Sequence, residues 1–447
     1  MTASEVDGKA VLRKVSLRLI PFLFLLYVVN LIDRTNIGIA KLQMVDELVD
    51  GKPLVLDEGA YALGAGLFYI GYLLFEVPSN LVLARVGARV WIARIAVTWG
   101  LISSAMMFAT GPWSFGILRV LLGFAEAGFF PGIIFYLSGW FPLRARAGAV
   151  ATFMTGGAIA SMLGNPISGM ILQHADGLVG MRGWQWVFLL EGIPAVVLGF
   201  VTLRYLTDRP DQAGWLTAPE RAWLMGELER DRLAAVGHRG HSFRTALTEP
   251  RIWLLIAIYF TVAVGDNVYG FYVPSFLKSR LGGWTSSEIG WLAALPSVAA
   301  LVAMILVSRH SDRTGERRWH VAGAAFTAAA GWLTVALAES PLLFVAGLAV
   351  ALVGMKSMLP TFWTMPAAFL SGTAAAGGVA LINSVANLGG FVGPKIIARV
   401  KTESGSFDDA FLIMAGVMLT GGLLSLLVRI DRAPTPETTT CPPPDSI

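Results

Sequence analysis

Charge is scarce in this sequence. Of 447 residues only 14% are Asp, Glu, Lys or Arg, while 55% are hydrophobic. A soluble domain of this length carries far more charge, so an integral, polytopic membrane protein is expected. Cysteine is almost absent: the one thiol, Cys441, sits in a polar tail, so no internal disulfide can form. The 5 histidines form no metal cluster and no nucleophile–base set. No enzymatic activity, cofactor or metal is therefore expected. The net charge of +4 is small and its basic residues lie at loops, which implies no nucleic-acid partner. A cleavable leader is not expected either, because the first apolar run is too long and no A-x-A-like site follows it.

What is present is a succession of apolar runs joined by short polar loops. A bilayer core about 30 Å thick needs roughly 20 apolar residues per helix. Twelve such segments can be placed, at 18–40, 58–83, 90–110, 113–138, 147–173, 184–206, 251–277, 287–309, 319–338, 341–366, 374–400 and 408–430. A transmembrane β-barrel would instead show weak period-two alternation. The expected fold is all-α: twelve transmembrane helices in two pseudo-symmetric six-helix bundles, residues 1–206 and 251–430, with a polar linker at 207–250. Within the linker, Asp211–Leu233 reads as an amphipathic surface helix with a solvated charged face, and 431–447 reads as a disordered Pro/Thr-rich tail.

Lys and Arg set the orientation. They crowd the start of the chain, the loops after spans two, four and eight, and the linker, which places both termini on the cytoplasmic side of an inner membrane. The loop after span two contains Arg85-x-Gly87-x-Arg89 and the loop after span eight contains Arg313-x-Gly315-x-Arg317. The same pattern in the same topological slot indicates internal duplication, a mark of secondary transporters.

The few ionisable residues deep in the spans are not scattered. Asp33 and Arg34 fall in span one, Arg119 and Glu126 in span four, Asp266 in span seven and Lys356 in span ten. These are the first helices of successive groups of three, which in a repeat-built transporter surround a central cavity. Intramembrane charge is costly and survives where a bundle interior or wet cavity holds it. Arg119 and Glu126 are seven residues apart, two turns, and project from one helix face. Together with Asp33 and Arg34 they make two acids and two bases, so that an anion binding to an Arg would release an acid to take a proton. Lys356 reads as a cavity cation with Asp266 as its neutralising partner, and Lys395 as either a cavity or a snorkelling residue. Tyr72, Trp363, Asn383 and Asn387 are uncharged candidates for the path, and Glu76 for gating or loop anchoring.

The loop Asp312–Arg318 resembles the D-R-x-G-x-R-R gate motif of the major facilitator superfamily, with Asp312, Arg313 and Arg317 in its charged positions; the first-half copy has Ala84 where an acid is usual. DRTNIGIA (33–40), GYLLFEVPSN (71–80), RVLLGFAEAGFFPG (119–132), WQWVFLLEGIPA (184–195) and GGVALINSVANLGGFVGP (377–394) resemble that superfamily's anion:cation symporters, such as tartrate, sugar-acid and phthalate permeases. The resemblance implies proton-coupled uptake of a small organic anion by alternating access, in a monomer. Asp33 and Glu126 would carry protons, Arg34 and Arg119 would serve as carboxylate ligands or counter-ions, and Tyr72 and Asn383 would touch substrate. Gly157 replaces the Gln of galactonate-type relatives, and Lys356 with Asp266-Asn267 is unusual. Both point away from a sugar acid, toward a tartrate-like dicarboxylate or an aromatic acid. A proton antiporter is the alternative, because GGAIASMLGNPISG (156–169) partly resembles an antiporter motif. A non-transporting receptor is a further alternative, though the termini leave little room for a signalling domain.

Overall fold

The computed structural model describes residues 6–45, 48–49, 52–53, 55–236, 248–366 and 372–428. The tail at 431–447, including Cys441, lies outside the described residues. Sixteen α-helices are present among the described residues. In the first part of the chain they are α1 (Gly8–Met44), α2 (Glu58–Val86), α3 (Ala88–Ala105), α4 (Pro112–Glu126), α5 (Phe129–Ser138), α6 (Leu143–Met154), α7 (Gly156–His174), α8 (Gly183–Tyr205) and α9 (Ala218–Val236). Then follow α10 (Pro250–Arg280), α11 (Ser286–Thr314), α12 (Arg318–Ala336), α13 (Pro341–Phe362), α14 (Gly372–Ala386), α15 (Gly389–Ser404) and α16 (Asp408–Ser425). The only strands among the described residues are the two-residue pair Leu48–Val49 and Lys52–Pro53. The protein is all-α, a twelve-span bundle in which ten helical stretches are each long and apolar enough to cross a membrane.

Helix starts follow local chemistry. Asp57 caps α2 through Ala60 N–H at 2.7 Å, Thr285 and Glu288 form a capping box on α11, and Pro opens α4, α10 and α13. Three expected spans are broken rather than continuous. Span four divides into α4 and α5 at Ala127-Gly128, span five into α6 and α7 at Thr155, and span eleven into α14 and α15 at Asn387-Leu388. Gly128 adopts φ +86°, and a Cβ there would meet Ser79 Oγ at 2.4 Å, so only glycine fits the first break.

Small residues let helices touch backbone to backbone. A Cβ on Gly123 of α4 would lie 2.1 Å from the Phe68 carbonyl of α2, and Gly331 and Gly354 do the same between α12 and α13. The first six spans meet the last six through α1 on α10, α2 on α15 and α7 on α11. These contacts concentrate at the end of the bundle opposite the chain termini. There Gly38 packs on Gly270 and Gly169 on Gly290, and Tyr61 donates to the Phe271 carbonyl at 3.1 Å; within the second half, Tyr272 donates to the Pro394 carbonyl at 3.3 Å. Glu58 holds Lys41 at 3.2 Å and Lys401 at 3.0 Å, and Lys41 also reaches Ser275 at 3.2 Å. That end is sealed.

Both duplicated loops end their helix on a glycine at positive φ, Gly87 at +100° after α2 and Gly315 at +66° after α11, although only Gly315 is in the left-handed helical region. Arg317 pairs with Asp312 at 2.7 Å within its own loop. Where Ala84 leaves the first copy without an acid, Asp208 supplies one from beyond α8, accepting from the Arg89 backbone N–H at 2.8 Å. The linker helix starts at Ala218, later than Asp211, and its charged face is not merely solvated. Lys14 pairs with Glu220 and Arg144 with Glu227, both at 2.8 Å, and Asp231 accepts from Leu143 N–H at 2.6 Å. Trp215 stacks on Trp140 at 5.4 Å. The linker is thus fastened to the first half.

Candidate functional site

Two ion pairs lie midway along the helices, one between α1 and α4 and one between α10 and α13. Glu126 ends α4 at the break and is fully buried. Its Oε2 accepts from Arg34 Nη2 at 2.7 Å, from Arg34 Nε at 3.2 Å and from Asn30 Nδ2 at 3.0 Å. The Arg34 guanidinium lies 5.0 Å over Phe68 and 5.3 Å over Tyr72 and keeps part of its surface open. An aromatic floor holds a cation without neutralising it, so Arg34 can offer its remaining donors to an anion.

On the other half, Lys356 Nζ of α13 meets Asp266 Oδ1 of α10 at 2.5 Å. The pairing inferred from sequence is present, and with side chains 28% and 37% exposed it is open rather than locked in the core. The neighbouring Asn267 accepts a hydrogen bond from Tyr69 of α2, which ties the two halves together beside both ion pairs.

The other candidates divide sharply. Asp33 belongs to a separate cluster inside the first half, accepting from Ser103 and, at 3.3 Å, from Asn36. Arg119 is fully buried, donates from Nε to the Gly64 carbonyl at 3.4 Å and stacks over Phe68 at 4.9 Å. Asp33 and Arg119 make no ion pair with Arg34 or Glu126, yet both stay within electrostatic range of Glu126. Arg34 and Glu126 meet, while Asp33 and Arg119 pack behind them. Tyr72 floors Arg34, and Trp363 stands edge-on to Tyr259 at 4.9 Å. Asn383 and Asn387 are half-buried on the α14–α15 segment, and Lys395 is exposed with its ammonium 3.8 Å over Phe391. Glu76 accepts from Ser384 of the other half at 2.9 Å, which suits a gating contact. Asp312, Arg313 and Arg317 stay at the loop, away from this centre.

Two residues were not singled out by their charge. Glu191 of α8 is buried, accepts from Ser168 at 2.7 Å and faces Asn36 in the Asp33 cluster. A carboxylate in an otherwise apolar helix was the available signal, obscured because it sits within a longer motif. Ser384 carried no signal beyond its polar neighbours.

The major facilitator superfamily model matches this chain over residues 23–283 and again over 258–441. The chain belongs to the Major Facilitator Superfamily. It is 46% identical, over 96% of its length and 94% of the relative's, to a protein of Agrobacterium vitis provisionally named a tartrate transporter. It is 39% identical, over 96% and 97%, to a quinolone resistance transporter of Acinetobacter baumannii. Its fold matches the xylose transporter XylE of Escherichia coli, solved in an inward open conformation, with TM-score 0.72 and 13% identity over 93% and 95% of the two chains. This member of the superfamily is a multi-pass membrane transporter.

Proposed function

We propose that this transporter takes up a small organic anion, foremost a tartrate-like dicarboxylate, together with protons. The observation that carries the reading is Arg34, partly open over Tyr72 yet already bound to the buried Glu126. A carboxylate arriving at Arg34 competes with Glu126, and a carboxylate displaced from its cation into a poorly hydrated site takes a proton. Substrate and proton then load together. Asp33 serves as a relay toward Glu126 rather than as a ligand, and Arg119 as a fixed counter-charge. Lys356, Trp363, Asn383 and Asn387 line the substrate's side of the second half. The rocking bodies are residues 1–206 and 251–430, joined by 207–250 and acting as a monomer in the inner membrane with both termini cytoplasmic. The similarity to the A. vitis protein supports the dicarboxylate.

Purified protein in liposomes, given labelled tartrate and an acidic outer medium, is expected to accumulate the label above its equilibrium level. Glu126→Gln is expected to abolish that accumulation while tartrate–tartrate counterflow continues. Absence of accumulation by the parent protein would sink the symport reading. The second reading is export by proton antiport, favoured by the A. baumannii relative. It predicts that an acidic lumen drives uptake of norfloxacin, a quinolone, into the same liposomes and that tartrate is inert.

A further inference from the structure

We infer that Lys356 and Asp266 form a second anion-and-proton station, so that one dicarboxylate enters with two protons and the loaded transporter moves no net charge. The inference rests on the symport reading above and adds to it a stoichiometry and the residue that sets it. Three observations carry it.

The first is that each half carries one cation–carboxylate pair that joins two of its helices, with Glu126 fully buried and Asp266 more open. Arg34 with Glu126 uses α1 and α4, and Lys356 with Asp266 uses α10 and α13, at 2.7 Å and 2.5 Å. In both the cation is partly open, 23% for Arg34 and 28% for Lys356, whereas Arg119 is sealed.

The second is that the pairs share surroundings. Tyr69 bonds to Asn267, next to Asp266, and lies about one turn from Tyr72, which floors Arg34. Tyr27 and Tyr69 are each within electrostatic range of both Arg34 and Asp266. The other titratable groups facing Asp266 are Tyr259 and Tyr269 on its own helix; those facing Glu126 are Asp33, Arg119, Tyr69 and Tyr72. On this inference the two carboxylates of one dianion go to the two cations, one on each half, and draw the halves together.

The third is charge balance. Empty, the four groups sum to zero: two cations and two carboxylates. When a dianion takes both cations, two carboxylates are displaced. If each takes one proton the sum is zero again. If only Glu126 does, one carboxylate beside these tyrosines is left without a counter-ion, an imbalance that the second proton removes. A monocarboxylate needs only Arg34, leaves Lys356 on Asp266, and moves with one proton.

The test uses full-length protein in liposomes with the membrane potential clamped by potassium and valinomycin. Labelled tartrate is the dianion and labelled threonate the monoanion. The parent protein is expected to accumulate both in response to a pH gradient, with no effect of potential. Asp266→Asn removes one proton acceptor, so tartrate uptake then carries one negative charge. Its accumulation is expected to fall tenfold for each ~59 mV of inside-negative potential, with threonate still unaffected. Asp266→Asn with potential-insensitive tartrate accumulation overturns the inference. Should that variant not bind tartrate, Lys356→Met combined with Asp266→Asn removes the station without stranding a charge; it is expected to keep proton-driven threonate uptake and lose tartrate. Tartrate uptake by the double variant overturns the inference. A parent protein that responds to pH but moves tartrate with net charge defeats the two-proton count alone, while one indifferent to the pH gradient defeats the symport reading beneath it.

Discussion

Asp33 and Arg34 are neighbours in sequence and strangers in space. On an α-helix adjacent side chains diverge by about 100°, so Arg34 turns to Glu126 while Asp33 turns into the α1–α3–α8 interior toward Ser103, Asn36 and Glu191. The sequence revealed that both are expensive to bury; it did not reveal that they face different surroundings, because which face of α1 meets which helix depends on packing. The partnership of Lys356 with Asp266, by contrast, was legible, since two opposite charges in the first helices of successive repeats have few other places to go. Glu191 makes a residue-scale prediction. Its Oε1 accepts from the buried Ser168. Glu191→Gln keeps a comparable shape and an acceptor, and is expected to change stability by less than ~1 kcal/mol. Glu191→Ala strands Ser168 and opens a hole, and is expected to cost about 1–3 kcal/mol. The thermal unfolding midpoint of detergent-purified protein reads both; equal losses would show that the carboxyl's charge, not its acceptor, matters there.

At the scale of elements, the positions of the spans were readable from hydropathy, but their breaks were not. The division of span four depends on Gly128 having no room beside Ser79, a contact between residues about fifty apart. The linker was misread for a related reason: a charged amphipathic helix looks the same whether it faces water or complementary loops. Its ion pairs are peripheral, and exposed pairs contribute only ~0–1 kcal/mol. Glycine contacts between helices should weigh more. Gly123→Ala forces a Cβ to within 2.1 Å of the Phe68 carbonyl, so α2 and α4 must separate, at an expected cost of about 1–3 kcal/mol. Lys14→Ala removes the Glu220 pair and is expected to cost under ~1 kcal/mol in the same unfolding assay. The hydrogen bonds from Lys14 and from Thr217 N–H hold the Glu220 carboxyl below the usual carboxylate range. A depressed folded value means that the pair's small contribution is present above the ordinary Glu range and lost as pH falls through the lowered value. Lys14→Ala and the parent should therefore converge in stability in acid, and a gap that widens on acidification would contradict the assignment.

At the scale of the whole molecule, the structure is closed at one end and held there by one acid between two bases. Glu58 joins α2 to Lys41 of α1 and Lys401 of α15, while Lys41 reaches across to Ser275 of α10. Opening that end means parting α1 from α10 and α2 from α15, so the contacts to Ser275 and Lys401 must break, along with Tyr61 to Phe271. Nothing comparable crosses between the gate loops among the described residues, where Arg317 is satisfied by Asp312 of its own loop. The closed end thus carries a charged cluster with bonds to lose, against the single Glu76–Ser384 hydrogen bond found toward the other end of α2 among the described residues, and Glu58 is central to that cluster. Because Lys41 is fully buried, Glu58→Gln takes a carboxylate away from a buried ammonium and from Lys401 at once, an expected penalty of roughly 3 kcal/mol on the sealed conformation. That is enough to shift a two-state equilibrium by about two orders of magnitude. Hydrogen–deuterium exchange is expected to rise in residues 37–44 and 396–404 and to stay unchanged in α3, which touches neither partner. Uniform exchange across all three segments would mean that Glu58 supports the fold as a whole and does not set the balance between its two open states.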